Sequence, residues 1–219
     1  MNHWSGYLEL ILQGARTTVE LTLMGAVLAL VMAFVAGLGR LSRFFVVRAL
    51  ATSYIEFFRG TSIFVQLFWA YFVLPMAGLT LTPLQAGVLA LGLNVGAYGA
   101  EVVRGAVAAI GNEQRSACIA LNLSRYQRMR HVILPQALPL MLPTFGNNAI
   151  ELLKGTAVVS LISLGDMTFQ AQVVRSQTGN TLIPFATILA LYFGMACLIS
   201  FGMRKLESRM SFGLDRIRR

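Results

Sequence analysis

Residues 113–143 read EQRSACIALNLSRYQRMRHVILPQALPLMLP, and they form the one long polar and basic stretch between strongly apolar segments. Its beginning predicts a short helix, because Asn112 can act as an N-cap and Glu113 places a negative charge in the first turn. We expect this helix to end near Leu121. Asn122 follows, a residue type that tolerates the left-handed conformation in which helices often end. The pattern therefore predicts a tight corner at Asn122.

A second helix is expected after the corner. Ser124 and Gln127 have the spacing of a capping box, in which each side chain bonds the backbone of the other residue. The Leu134-Pro135 step should end or kink this helix, because the residue before a proline is disfavoured in helical geometry. Two short helices joined by a corner form a compact docking surface on the polar side of a membrane protein. An ordinary solvated loop is the alternative interpretation.

The composition favours a membrane protein. Of 219 residues, 56% are hydrophobic and 12% are charged, whereas a soluble domain carries about 25% charged residues. The mean hydropathy is +0.67. A net charge of +9 would suggest nucleic acid in a soluble protein, but here the basic residues lie between apolar segments and indicate orientation in a bilayer. The expected surroundings are membrane lipid and not nucleic acid. No metal site is expected, since His3 and His131 lack ligand partners at useful spacing.

Five apolar segments are long enough to cross a hydrocarbon core of ~30 Å. They cover approximately residues 17–39, 55–75, 83–103, 140–164 and 182–203. The sequence thus predicts an all-α, polytopic membrane protein, with a single transmembrane domain over residues 1–219 and a polar loop at 106–134.

The distribution of basic residues predicts the orientation of the chain. The stretches 40–59, 101–130 and 204–219 hold four, five and six basic residues. The stretches 76–82 and 166–181 hold none and one. Because Lys and Arg concentrate in cytoplasmic segments, the first three stretches should be cytoplasmic. With five spans, the N-terminus is then outside and the C-terminus inside.

Several motifs carry a resemblance to a known family. They are EVVRG at 101–105, EQRSACIALNL at 113–123 and LPQAL at 134–138, together with EFFRGT at 56–61 and LLKGT at 152–156. The chain resembles the permeases of ABC importers of the polar amino-acid uptake subfamily, whose cytoplasmic "EAA" loop has the pattern G-Q-x-E-A-A-x-A-L-G-L. Two departures stand out: Ser116 replaces the usual Glu of EAA, and Asn122 replaces the usual Gly. The fold of the loop should survive, because Asn can still form the corner.

The resemblance implies that this loop couples the chain to an ATPase. The implied coupling residues are Glu113, Gln114, Ser116, Ala117, Cys118, Leu121, Asn122, Leu123 and Arg125. The implied partners are a dimer of ATP-binding subunits, a second permease subunit, identical or homologous, and an extracytoplasmic substrate-binding protein. Five helices are few for a whole translocation path, which also favours two permeases. The location would be the bacterial inner membrane.

The chain itself is expected to be non-catalytic and to bind no cofactor. It contains no P-loop, and the nearest string, KGT at 154–156, has the wrong order and no upstream glycine framework. By resemblance, ATP and Mg²⁺ bind the partner ATPase. The subfamily carries polar amino acids, and the strings EFFRGTS, VQLFW and LNVGAYGAEVVRG look closest to permeases for ectoine and hydroxyectoine.

The fourth apolar segment contains unusual polar residues. Asn147, Glu151 and Lys154 stand at i, i+4 and i+7, so they share one face of a helix. An ionised side chain near the bilayer centre costs roughly 2.5–3.5 kcal/mol on insertion scales. Such a face either lines the path of a zwitterionic solute or holds a structural Glu151–Lys154 pair. Both interpretations remain open at this point.

Two other functions compete with an ATP-driven importer. A secondary transporter driven by an ion gradient would show inverted repeats and broken half-helices in both halves, and the sequence indicates neither. A non-transporting membrane scaffold would have no need for charges inside the fourth segment.

Overall fold

The computed structural model describes residues 3–215, which contain helices and no strand. The α-helices are α1 (His3–Arg40), α2 (Phe45–Gly60), α3 (Ile63–Phe68), α4 (Pro83–Ala109), α5 (Asn112–Ala120), α6 (Arg125–Gln127), α7 (Leu134–Gly155), α8 (Met167–Thr178) and α9 (Leu182–Asp215). Short π- and 3₁₀-helical turns extend α3, precede α7 and follow it. The predicted all-α class is confirmed.

Within residues 3–215, three helices, α1, α4 and α9, are long and apolar enough to cross a membrane. The number reaches five if each of two bent helix pairs counts as one span. The helix α4 begins at Pro83, where Thr82 and Gln85 form a capping box, and α9 begins at Leu182, as predicted. The helix α1 starts well before residue 17, because the weakly amphipathic N-terminal residues continue the same helix.

The predicted second span over 55–75 contains a sharp bend. The chain bends by 105° between α2 and the helical segment Ile63–Ala77. The side-chain amide of Gln66 donates to the carbonyl oxygens of Phe58 and Thr61, at 2.9 and 3.2 Å. Asn94 of α4 also donates to Phe58 O, at 2.8 Å, and to Gln66 Oε1. A break inside a membrane protein is tolerated when neighbouring groups satisfy the freed backbone in this way.

The helix that carries the fourth apolar segment begins well before residue 140. Helical structure runs from Arg125 to Ile162, and Leu134-Pro135 does not end it. The segment Arg128–Ile133 is π-helical, with Leu134 N–H bonded to Met129 O, five residues back. This wider turn makes room for the proline ring, which clashes with the i−4 carbonyl in a regular α-helix.

A further helix, α8, was missed in the polar residues 166–181. It follows a 51° bend after Ile162. Asp166 caps it by accepting from the backbone N–H groups of Thr168 and Phe169, at 3.1 and 2.9 Å. The expectation that broken helices are absent is therefore wrong, since two helix pairs are bent at short breaks. The sequence did contain signals for this helix. Gly165-Asp166 is typical of a helix start, and Gly179-Asn180 is typical of a helix end.

Helices α1 and α4 pack closely through small residues. A Cβ on Gly96 would lie 2.9 Å from the Cβ of Met32, and one on Gly37 would lie 2.7 Å from Ala100 O. Ala100 itself is fully buried. Small side chains let the two backbones approach, the usual device for joining helices in a membrane. The pair forms the scaffold that positions the polar sites described next.

Candidate functional site

The first candidate site is the polar corner, residues 112–127, which contains α5 and α6. Asn122 has a φ of 53°, the left-handed conformation predicted for it. Its N–H donates to Ile119 O at 2.9 Å, and Leu123 N–H donates to Cys118 O at 3.0 Å. This pair of bonds is a Schellman motif, which satisfies the last carbonyl groups of a helix. The predicted corner is confirmed in its atomic detail.

Of the two helix caps predicted for the corner, one is confirmed and the other is wrong. The capping box is confirmed: Ser124 Oγ accepts from Gln127 N–H at 3.3 Å, and Gln127 Oε1 accepts from Ser124 N–H at 2.9 Å. The expected Asn112 cap is wrong. Gly111 is the N-cap of α5 and forms no side-chain bond, while Asn112 is already the first helical residue. Glu113 lies in the first turn, as predicted.

The polar corner presents most of the implied coupling residues to the outside. Those exposed are Glu113, Gln114, Ser116, Ala117, Leu121, Asn122 and Arg125. Leu123 is half-buried, and Cys118 is buried at 3% exposure. Leu121 is exposed at 73%, and so are two apolar side chains that the sequence analysis missed, Ile119 at 61% and Tyr126 at 65%. An exposed apolar group with a polar rim is typical of a protein interface.

The corner is tied to the transmembrane scaffold. Arg115 of α5 donates to Val107 O, near the end of α4, at 3.1 Å. Earlier in α4, Glu101 accepts a hydrogen bond from Arg40 of α1. Glu101 also pairs with Arg104, whose Nη2 lies 2.9 Å from Glu101 Oε2. Glu56 of α2 lies 3.9 Å from Arg40. Glu101, the acidic residue of the EVVRG motif, therefore links α4 to α1 through Arg40, and Arg104 pairs with it within α4.

The second candidate site is a cavity of about 500 Å³ between α3, α4 and α7, called here the charged cavity. Its lining residues are Ile63, Asn94, Val95, Tyr98, Asn148, Glu151, Lys154 and Gly155. Lys154 Nζ lies 3.0 Å from Glu151 Oε1. Both side chains are more than half exposed, so the cavity opens to the surface of the subunit.

The structure brings together two of the three predicted path residues. Glu151 and Lys154 line the charged cavity, whereas Asn147 is exposed and lies outside its lining. Its neighbour Asn148 lies in the lining instead, and the Nδ2 of Asn148 is buried without a hydrogen-bond partner among the described residues. Asn94 and Tyr98, on α4, were missed. Both are polar residues within an apolar segment. The same pattern identified Glu151 as a candidate path residue.

Comparison with known proteins identifies the family. Residues 25–212 match the family described as "Binding-protein-dependent transport system inner membrane component". The chain belongs to this family. It is therefore a non-catalytic, multi-pass permease component of an ABC transporter in the inner membrane. Membership implies an ATP-binding subunit and a substrate-binding protein as partners.

Individual relatives cover nearly the whole permease. A probable amino-acid ABC transporter permease of Sinorhizobium fredii is 46% identical over 95% of this chain and 90% of its own length. The glutamine transport system permease of Escherichia coli K12 is 37% identical over 93% of this chain and 94% of its own. A crystal structure of an amino acid ABC transporter with histidines aligns with a TM-score of 0.87, at 34% identity, over 94% of this chain and 96% of that one.

These likenesses decide between the competing functions. The broken helices alone would favour an ion-driven secondary transporter, in which such helices surround the substrate. The family match and the whole-length likeness to ABC permeases favour the ATP-driven importer instead. Broken helices in this chain thus belong to the permease fold.

Proposed function

We propose that this permease carries polar amino acids, or solutes derived from them, through a path that includes the charged cavity. The observation that supports it best is the Glu151–Lys154 pair in a cavity of about 500 Å³. Small-molecule sites have volumes of about 300–1,000 Å³ and a few placed polar groups. The proposal also draws on relatives whose names include amino-acid and glutamine transport.

The two charges suit a zwitterion. A free amino acid carries a carboxylate and an ammonium group a few bonds apart, and Lys154 and Glu151 offer one partner for each. Both charges remain accessible, at 61% and 69% exposure, so a solute can displace their mutual contact. An exposed ion pair contributes only about 0–1 kcal/mol, which makes that exchange inexpensive. The unpartnered amide of Asn148 can then donate a third bond to the solute carboxylate.

The path is completed by a second permease subunit, identical or homologous. Large apolar side chains are exposed on several helices, including Val27, Val35, Trp69, Leu189, Phe193 and Phe201. Lipid covers part of this surface, and a second permease covers the side on which the charged cavity opens. A cavity enclosed by two subunits excludes water, which strengthens the contacts between Glu151, Lys154 and the solute.

The polar corner is the docking site of the ATPase in this proposal. Its exposed Ile119, Leu121 and Tyr126 provide the apolar centre, and the surrounding polar residues provide the rim. The Schellman corner and the Arg115 bond keep α5 fixed relative to α4. Closure of the ATPase dimer on ATP would then move the transmembrane helices as rigid elements. With the polar corner in the cytoplasm and five spans, the proposal has the N-terminus outside and the C-terminus in the cytoplasm.

Two groups of solutes are candidates for the substrate. Glutamine and similar polar amino acids are suggested by the relatives, whereas ectoine and hydroxyectoine are suggested by the sequence strings around residues 56–104. Both groups are zwitterionic and fit the same pair of charges. We favour polar amino acids, since the whole-length likeness supports them.

Uptake by the reconstituted importer tests this proposal. The permease, its ATPase and its binding protein are placed in vesicles, and uptake of labelled glutamine, histidine, arginine, ectoine and a neutral sugar is measured with and without ATP. We expect ATP-dependent uptake of at least one polar amino acid and none of the sugar. Uptake of ectoine but of none of the amino acids would instead favour ectoine and hydroxyectoine as the substrates. Uptake of the sugar alone would contradict a zwitterion path.

A further inference from the structure

A second polar cavity, of about 630 Å³, lies where α1 ends and α2 begins, against α4. Its lining residues are Arg40, Leu41, Phe45, Arg48, Ala49, Thr52, Ser53 and Arg104. We propose that this basic cavity binds the phosphate group of an anionic phospholipid. The lipid would lie in the cytoplasmic leaflet. This assignment of the leaflet rests on the orientation given under the proposed function.

The charges of the cavity favour an anion. Arg40 and Arg104 share the carboxylate of Glu101, and Glu56 lies 3.9 Å from Arg40. Arg48 has no carboxylate partner among the described residues. Three guanidinium groups therefore face two carboxylates, and neither carboxylate belongs to the lining. Guanidinium groups bind phosphate through two parallel hydrogen bonds, and the hydroxyl groups of Thr52 and Ser53 can add others.

The start of α2 reinforces this preference. Phe45, the first residue of α2, lies in the lining, and Phe44 before it provides no side-chain cap. The first backbone N–H groups of a helix have no partner within the helix, and the helix dipole adds a partial positive charge there. A phosphate beside the first turn of α2 would accept from these groups. The dipole thus acts together with the three arginines.

The surroundings indicate a lipid rather than a free phosphate ion. Four apolar side chains near the cavity are highly exposed: Phe44 at 59%, Phe45 at 73%, Val46 at 66% and Leu50 at 68%. Their place in the chain, between two apolar spans, is that of an interfacial segment beside the lipid headgroups. Basic pockets between transmembrane helices on the cytoplasmic side are typical sites for anionic headgroups. A soluble ion would gain nothing from this apolar rim.

Lipid binding to the purified permease–ATPase complex tests the proposal. Native mass spectrometry measures the affinity of phosphatidylglycerol and of phosphatidylcholine for the wild type, for Arg48→Gln and for Arg43→Gln. Arg43→Gln is a matched control, because it removes the same charge five residues away, in the link between α1 and α2, whereas Arg48 lies in the first turn of α2. The Arg43 guanidinium lies over the ring of Phe44, 4.8 Å from the centroid, and outside the cavity lining.

We expect Arg48→Gln to weaken phosphatidylglycerol binding at least about fivefold, and Arg43→Gln to weaken it less than about twofold. Phosphatidylcholine binding should not change. An equal loss in both variants would overturn the proposal, because it would show general attraction to a basic surface. A titration with inorganic phosphate separates the two sources of the anion. Saturable phosphate binding that Arg48→Gln removes, without preference for phosphatidylglycerol, would also overturn it. The assay needs no transport, so it fails or succeeds independently of the substrate assignment.

Discussion

The polar corner and the break between α2 and α3 both turn a helical chain sharply, yet they are held in different ways. At the corner the bonds of the turn itself join residues three to five positions apart, as in the Ser124–Gln127 capping box, and Arg115 adds one longer contact to Val107 on α4. At the break, Gln66 and Asn94 stand 28 residues apart and belong to different helices. The corner is a local structure that the neighbouring sequence encodes. The break has bonds to nearby residues as well, from Gln66 to Phe58 and Thr61, but it also uses a partner on α4, Asn94.

This difference has a functional consequence. A locally encoded corner keeps its shape when the subunit changes conformation, which suits a surface that transmits force. A break held by an interhelical contact can change when α4 shifts against α3. Asn94 also lines the charged cavity, so the same residue connects the break to the proposed solute path. The variants below separate the two kinds of structure, in order of decreasing expected effect.

Asn122→Pro should break the local structure. Asn122 has a φ of 53° and donates its N–H to Ile119 O, whereas proline fixes φ near −65° and has no N–H. A cost of about 3 kcal/mol or more lowers the fraction of correctly formed corners about 100-fold. We expect uptake and substrate-stimulated ATPase activity in vesicles to fall accordingly, while the amount of permease in the membrane stays near normal.

Asn122→Gly is the matched control, because glycine adopts a positive φ without strain and keeps the N–H. It should transport like the wild type. Unchanged uptake in the proline variant would contradict the role of the corner. Loss of the permease from the membrane in the proline variant alone would instead show that the corner is needed for folding.

Replacing both charges of the proposed path tests the cavity. Glu151→Gln with Lys154→Met removes the pair without leaving an unpaired charge, so a purely structural pair should tolerate it. If the pair binds solute, the lost charged hydrogen bonds are worth about 1.5 kcal/mol or more, which predicts at least about a tenfold fall in uptake at low substrate. The complex with the ATPase should remain intact on a sizing column.

The chain offers a matched double control on α9, Glu207→Gln with Lys205→Met. It makes the same two substitutions outside the lining of the charged cavity, and its uptake should stay near the wild-type value. Wild-type uptake kinetics in the Glu151 and Lys154 variant would leave only the structural interpretation of the pair.

The same contrast explains what could be predicted from sequence. The capping box and the left-handed Asn122 follow from spacing and residue type, so the turn could be predicted, whereas the Asn112 cap was predicted wrongly and the Arg115 bond to Val107 was missed. The break in the second span could not, because an apolar run gives no sign of a partner on another helix. The polar residues Gln66 and Asn94 were visible, but their contact is a property of the packed fold. Asn147 and Asn148 stand four and three residues before Glu151, so periodicity alone allows either of them to share a face with Glu151; the structure places Asn148 in the lining of the charged cavity, and a role for Asn147 stays a prediction.

Gln66→Leu should weaken the non-local structure. The substitution leaves the carbonyl groups of Phe58 and Thr61 with fewer donors in an apolar setting, at a cost of about 1–3 kcal/mol. We expect a lower thermal unfolding midpoint of the purified complex and a smaller loss of uptake than Asn122→Pro causes. Gln172→Leu, the same substitution at an exposed position of α8, is the control. Equal midpoints for the two variants would mean that the break does not depend on Gln66.

Ser116→Glu, which restores the acidic residue usual in the family, should have the smallest effect. Ser116 is exposed on α5, so the new carboxylate stays hydrated and carries no burial penalty in the free permease. Glu113, one turn earlier, adds a like-charge repulsion of about 0.2–0.5 kcal/mol, and the slightly better helix propensity of Glu offsets part of it. Uptake and ATPase retention should therefore stay within about twofold of the wild type. Ser116→Gln has the same shape without the charge. If the Glu variant loses the ATPase during purification and the Gln variant keeps it, the docked ATPase buries this position against an apolar or acidic surface, and the corner has adapted to serine.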